Sequence, residues 1–221
     1  MKTSLFSPRR AVLFGAFCAA ALPLLQGCFP LVAGGVVAGA VMIADRRTSG
    51  TYVDDQSIEM KAGSLIKQHF GTLNHVNVTS YNRNVLLTGE VRDEQTQAEI
   101  QRLAGTVANV RAVTNELVIA PPSSLGDRAN DAMISTNVKT RFLNDGKFHA
   151  NHVKVITEAH TVFLLGIVTH AEGDEAAELA RSSSGVQKVV KVFEYIDGNR
   201  AEVLDHSNAH RNDPPEVPEA P

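Results

Sequence analysis

The sequence predicts an α+β protein of two tandem modules, each α-β-β-α-β, with a three-stranded sheet and two helices on one face. Two observations carry this expectation. The region from Asp55 matches the region from Asp131 at an offset of 76 to 77 residues, so one module occurs twice. Within each copy apolar residues first recur at helical spacing and then alternate with period two, the signatures of an amphipathic helix followed by strands.

In the first copy Ile58, Ala62, Leu65, Ile66 and His69 share one helical face, which predicts an opening helix. Val76-x-Val78 and Val85-x-Leu87-x-Gly89-x-Val91 alternate and are β-branched, which predicts a hairpin with one face buried. Ile100, Leu103, Ala104 and Val107 mark a second helix that Asp93 is placed to cap. A last strand is expected over 113–119. The second copy repeats the order: Ile134, Val138 and Phe142 on a helix, Val153-x-Val155, Val162-x-Leu164-x-Gly166-x-Val168, Leu179-Ala180 on a helix, and a strand over 189–196. A sheet with two helices on one face is the smallest two-layer arrangement that buries these stripes.

The N-terminus indicates the compartment. Lys2, Arg9 and Arg10 precede an apolar run over 11–25, interrupted by Pro23 and closed by Gln26, Gly27 and Cys28. A basic start, a short apolar stretch and a small residue before the cut make a secretory signal, too short to read as a membrane span. Leu25-Gln26-Gly27-Cys28 is similar to the bacterial lipoprotein processing motif, which makes Cys28 the expected site of lipid attachment and the new N-terminus. Phe29, rather than Asp, follows it, which by the same resemblance directs the protein onward to the outer membrane, facing the periplasm. The one other cysteine, Cys18, lies in the segment removed, so no disulfide framework stabilises the mature chain.

These signals divide the chain into a signal peptide (1–27), a lipidated N-terminus and membrane-proximal tether (28–54), a first module (55–120), a linker (121–126), a second module (127–197) and a disordered tail (198–221). The tether contains the apolar, glycine-containing stretch 29–44, which ends at Asp45-Arg46-Arg47. The linker is proline-rich and short, so the modules are expected side by side. The tail is rich in Asp, Asn, Glu and Pro.

Composition excludes some functions. The chain has 221 residues, 24 acidic and 21 basic, for a formal charge of −3. Loss of Lys2, Arg9 and Arg10 with the signal takes the mature side chains to −6. A chain of that balance has no general basic field for nucleic acid. The usual nucleophile-elbow, phosphate-loop, dinucleotide and zinc-protease motifs are absent, so no catalytic residue is expected. His149-x-x-His152 and His206-x-x-x-His210 have chelating spacing but no nearby carboxylate cluster, and neither a metal site nor a cofactor beyond the lipid on Cys28 is expected. Glu172, Asp174, Glu175 and Glu178 read as a solvated helix face.

The module order, the glycines of Leu87-x-Gly89-x-Val91 and Leu164-x-Gly166-x-Val168, the pairs Val110-x-x-Val113 and Val186-x-x-Val189, and Gly126-Asp127-Arg128-Ala129-Asn130-Asp131 together resemble the BON domain of bacterial envelope proteins. The resemblance runs from about 51 to 196. It implies a non-enzymatic outer-membrane lipoprotein that binds anionic phospholipid, phosphatidylglycerol or cardiolipin, supports outer-membrane integrity, and is enriched at the division site beside envelope assembly or division proteins. It also attributes lipid contact to the first helix of the second module.

That helix can be read independently. With Ile134, Val138 and Phe142 facing the sheet, Met133 and Leu143 project away. Thr136, Lys139 and Thr140 lie between them, with Arg128, Arg141 and Lys147 near. Apolar wedges among basic residues suit insertion at an anionic interface, where each cation adds about 1 kcal/mol. Relatives in the family carry Trp at the position of Met133, whereas this chain has none. The opening helix of the first module, with Glu59, Lys61 and Lys67 expected outward, offers no equivalent face and reads as structural or protein-contacting. The alternative for the whole molecule is a lipid-anchored scaffold for envelope proteins that reads no headgroup.

Overall fold

A computed structural model describes residues 45–71 and 74–210, the last three by backbone alone. The signal peptide, Cys28, the 29–44 stretch and residues 211–221 lie outside the described residues. The first module runs α1 (Ser49–Phe70), β1 (His75–Tyr81), β2 (Asn84–Val91), α2 (Glu94–Gly105) and β3 (Ala112–Ile119). The second runs α3 (Leu125–Asp145), a 3₁₀ turn (Ala150–His152), β4 (Val153–Glu158), β5 (Thr161–Val168), α4 (His170–Arg181) and β6 (Lys188–Tyr195), followed by α5 (Gly198–His210). The expected α-β-β-α-β order holds in both copies.

In each sheet the middle strand pairs antiparallel with the first and parallel with the third. Parallel neighbours need a crossover, and α2 and α4 supply it. Ile58, Ala62 and Ile66 of α1 and Ile100 and Ala104 of α2 bury against Val85, Leu87 and Val91. Ile134, Val138 and Phe142 of α3 repeat this with Ala176, Ala177 and Ala180 against Val162, Leu164 and Val168. Asp93 caps α2, accepting from Thr96 N at 2.7 Å.

The hairpins are tied to the opening helices by a buried carboxylate. Asn82 and Arg83, and likewise Ala159 and His160, take positive φ, the geometry of a two-residue turn that matches strand twist. Asp55 accepts from Asn82 N (2.8 Å), Arg83 N (2.7 Å) and Ser80 Oγ (2.7 Å). Asp131 accepts from Ala159 N (2.9 Å) and His160 N (3.0 Å). The signature glycines sit where backbones nearly touch: a Cβ on Gly89 would lie 2.1 Å from His75 O, and one on Gly166 would lie 2.3 Å from His152 O.

Four expectations are corrected. The hairpins are not buried on one face alone. Tyr81 and Leu86 of the first module join Phe163, Leu165 and Ile167 of the second in a third core, so the modules lie sheet against sheet. Burying each large apolar side chain is worth about 1.5–3 kcal/mol, so this layer, rather than the linker, holds the modules. Second, α1 begins at Ser49, within the stretch assigned to the tether, on an N-cap from Thr48. Third, α3 begins at Leu125 inside the expected linker, because Ser124 and Asp127 form a reciprocal capping box. Fourth, the tail is helical over Gly198–His210, with Leu204 packed on the inter-sheet core.

Candidate functional site

The outer face of α3 is where the expected lipid-contacting residues meet. Met133 is 65% exposed and Leu143 70%, as the helical spacing requires. Leu125, 83% exposed, falls on the same side of the helix and was missed, because the proline-rich linker hid the helix start; the Ser124-x-x-Asp127 cap was the available signal. At about 100° per residue, Leu125, Ala129, Met133, Thr136, Thr140 and Leu143 form one uncharged outer stripe. The hydroxyls of Thr136 and Thr140 donate to the carbonyls of Ala132 and Thr136, each at 2.9 Å. Their donors are thereby satisfied inside the helix, which lowers the cost of leaving water.

The basic residues are less uniform than expected. Lys139 is exposed beside the stripe and makes no ion pair among the described residues. Arg141 donates to Ser182 O at 2.6 Å, and Lys147 is paired with Glu175 at 2.6 Å. Arg128 is half-buried and turned inward, donating to Ser123 Oγ (3.1 Å) and Ser123 O (2.9 Å). It lines a pocket of about 520 Å³ beneath α3, with Thr136, Lys139, His75 and Glu158. Thus Met133, Thr136, Thr140 and Leu143 share the outer face, Lys139 flanks it, and Arg128 stands apart from it.

On α1 Lys61 and Lys67 are exposed as expected, with few large apolar residues beside them. Val53 and Met60 are exposed, one above the other at a spacing of seven. Glu59 is not outward: it accepts from Lys154 Nζ of the second module at 2.9 Å and from Ser80 N at 2.8 Å, an inter-module link.

The chelating-pair residues also fall differently. His149 is exposed, but His152 is buried, with Nδ1 3.5 Å from Glu172 and Nε2 3.6 Å from Asp205. Between those carboxylates lies Arg46, only 4% exposed. Its guanidinium meets Glu172 at 2.7 and 3.0 Å, Asp205 at 2.8 and 2.9 Å, and Ile167 O at 3.0 Å. Glu172 is therefore no solvated residue. Burial opposes all three charges, but the bonds to Asp205 and Glu172 outweigh it and raise the Arg46 pKa, while the bonds from Arg46 and Thr169 N, with His152 close by, hold Glu172 well below the usual carboxylate range. Arg46 likewise lowers Asp205 against the opposing effect of burial. Arg47 turns to the first module, pairing with Asp45 and Asp55 over the Tyr81 ring. Residues 45–47, expected in the tether, thus reach both modules.

Comparison with known proteins fits this architecture. The model of the BON domain matches residues 54–121 and 130–197. The chain belongs to the BON-domain family. Among curated relatives it is 39% identical over 175 residues to the "Outer membrane lipoprotein DolP" of Haemophilus influenzae, covering 78% of this chain and 91% of that one. It is 34% identical to the "21 kDa hemolysin" of Actinobacillus pleuropneumoniae, over 69% of this chain and 79% of that one. It is 27% identical to the "Osmotically-inducible protein Y" of Escherichia coli, over 69% and 78%. This BON protein is an outer-membrane lipoprotein. Among the described residues no helix is long and apolar enough to cross a membrane.

Proposed function

We propose that the protein is held at the outer membrane by lipid on Cys28 and binds anionic phospholipid, phosphatidylglycerol or cardiolipin, through the outer face of α3. It binds rather than catalyses, and it supports outer-membrane integrity, with enrichment at the division site. One observation carries the reading: Leu125, Met133 and Leu143 stand exposed along a stripe without charge, with Lys139 at its border. Such a surface gains from apolar burial at the headgroup boundary and from anionic lipid together. Met in place of the family's Trp reduces the interfacial preference, so affinity should rest more on the leucines.

The test is flotation of the protein, with Cys28 replaced by Ser and the signal removed, on phosphatidylglycerol vesicles against phosphatidylcholine vesicles. Selective flotation on the anionic vesicles is expected, lost in the Met133→Glu/Leu143→Glu double variant. Equal behaviour of parent and variant would reject headgroup contact by α3. It would favour the second reading, a lipid-anchored scaffold for envelope assembly or division proteins, for which Val53 and Met60 on α1 supply an exposed apolar surface.

A further inference from the structure

The junction of the two modules holds a second cluster that the lipid-contacting face does not use. His75 opens β1, Glu90 lies on β2, and Glu158 ends β4, so two ligand types from the first module meet one from the second. One atom from each lies within 4.8 Å of the others. His75 Nδ1 is 2.9 Å from Glu90 Oε2 and 3.7 Å from Glu158 Oε1. Both carboxylates are buried. We propose that His75, Glu90 and Glu158 form a site for one divalent transition-metal ion of the zinc class, which clamps the two modules together.

Three features support the assignment. The first is spacing: ligands about 2.0–2.1 Å from a tetrahedral Zn²⁺ stand about 3.3 Å apart, and the two distances from His75 Nδ1 bracket that value. The second is orientation of the carboxylates by neighbouring donors, as metal ligands require. Ser123 N donates to Glu90 Oε2 at 3.0 Å, and Asn77 Nδ2 donates to Glu158 Oε2 at 2.6 Å, leaving Glu158 Oε1 for the ion. The third is charge. Two buried carboxylates face one another, and among the described residues His75 is the one basic side chain within salt-bridge distance of either. Arg128, although near, is spent on Ser123. A divalent ion balances both carboxylates, whereas a single imidazole, even protonated, balances at most one.

Entry and the fourth ligand also have a place. His75 and Glu158 line the open pocket beneath α3, so the ion has a route from solvent and water can complete its coordination. An imidazole with two carboxylates suits Zn²⁺ better than Mg²⁺, which favours octahedral oxygen.

The test is calorimetric titration of metal-stripped full-length protein in detergent with ZnCl₂, with MgCl₂ as comparison. One Zn²⁺ per chain is expected, with no comparable Mg²⁺ binding. Glu158→Gln and His75→Gln should each weaken it at least tenfold, and the His206→Gln/His210→Gln variant should bind like the parent. Glu158→Gln keeps the side-chain shape and an acceptor for Asn77, and thermal unfolding in EDTA reports whether it is folded. Zn²⁺ should raise the Tm of the parent and leave that of Glu158→Gln unmoved. If a variant fails to fold, the Co²⁺-loaded parent decides: a four-coordinate visible spectrum supports the site and a six-coordinate one overturns it. Absence of stoichiometric Zn²⁺ binding by the parent, or unchanged binding in both Glu158→Gln and His75→Gln, also overturns it.

Discussion

His75 and His152 occupy corresponding places in the two modules, each with its carbonyl against the signature glycine of the next strand, yet their surroundings differ. Around His152 two carboxylates are bridged by Arg46 from a segment outside the module. Around His75 two carboxylates meet with no such bridge among the described residues. The repeat therefore conserves the backbone contact and leaves the charge balance free. One copy is neutralised by its own chain, and the other is left with the composition of a ligand site.

The largest expected effect tests the shared backbone contact. Gly89→Ala must place a methyl group against His75 O at a φ of 112°. Gly166→Ala meets the same kind of clash without positive φ. Overpacking and backbone strain each cost about 1–3 kcal/mol. We expect losses of about 4 kcal/mol for Gly89→Ala and about 2 kcal/mol for Gly166→Ala, measured by urea unfolding; equal losses would make the φ difference irrelevant.

Next come the turn carboxylates. Asp55 holds four donors, including Arg47, and Asp131 holds the two turn amides. Leaving buried donors unpaired costs about 1–3 kcal/mol. Asp55→Ala should lie near 3 kcal/mol and Asp131→Ala nearer 1.5 kcal/mol, with the same measurement as the check.

Arg46→Met tests the bridge at His152. Breaking a fully buried pair costs about 3–5 kcal/mol, but Asp205 is partly exposed, so about 1.5 kcal/mol at neutral pH is expected. The pH dependence follows from the lowered pKa values of Glu172 and Asp205. Carboxylates depressed in the folded state bind fewer protons than in the unfolded state, so their stabilisation is present above the unfolded values and is lost as pH falls through the folded ones. The parent should lose stability as pH drops below the usual carboxylate range, and Arg46→Met should lose less over that window. Parallel profiles would show that the bridge does not stabilise the ionised pair.

The same contrast explains what the sequence disclosed. Ile134, Val138 and Phe142 announced the buried side of α3, and so its exposed side, because helical periodicity is local. Strand alternation gave the hairpins equally well. The inter-sheet core was half-legible: Phe163, Leu165 and Ile167 between Val162, Leu164 and Val168 make a continuous apolar run, which marks a strand covered on both faces. Arg46 could not be placed, since its partner Asp205 is 159 residues away and two arginines beside an apolar stretch read as a tether. The tail helix was hidden for the same reason, because what orders it is contact with Arg46 and the inter-sheet core rather than its own composition. His75, Glu90 and Glu158 escaped notice because no sequence spacing joins them; the sheet-against-sheet arrangement does.

The smallest effect changes sign between the two turns. Ala159 takes a φ of 46° and Asn82 one of 51°. Left-handed backbone costs an ordinary residue about 1–2 kcal/mol, and Asn less. Ala159→Gly relieves that cost while adding freedom to the unfolded chain worth about 0.4–1 kcal/mol, so a net gain of about 0.5 kcal/mol is expected. Asn82→Gly relieves little and removes the Asn82 Nδ2 bond to Glu194 Oε2, 2.7 Å long and reaching across to the second module. A loss of about 0.5–1 kcal/mol is expected there. Urea midpoints should therefore move upward for Ala159→Gly and downward for Asn82→Gly. Movement in the same direction would mean that the two hairpins, despite matching φ angles, are not held by the same balance of strain and side-chain contact.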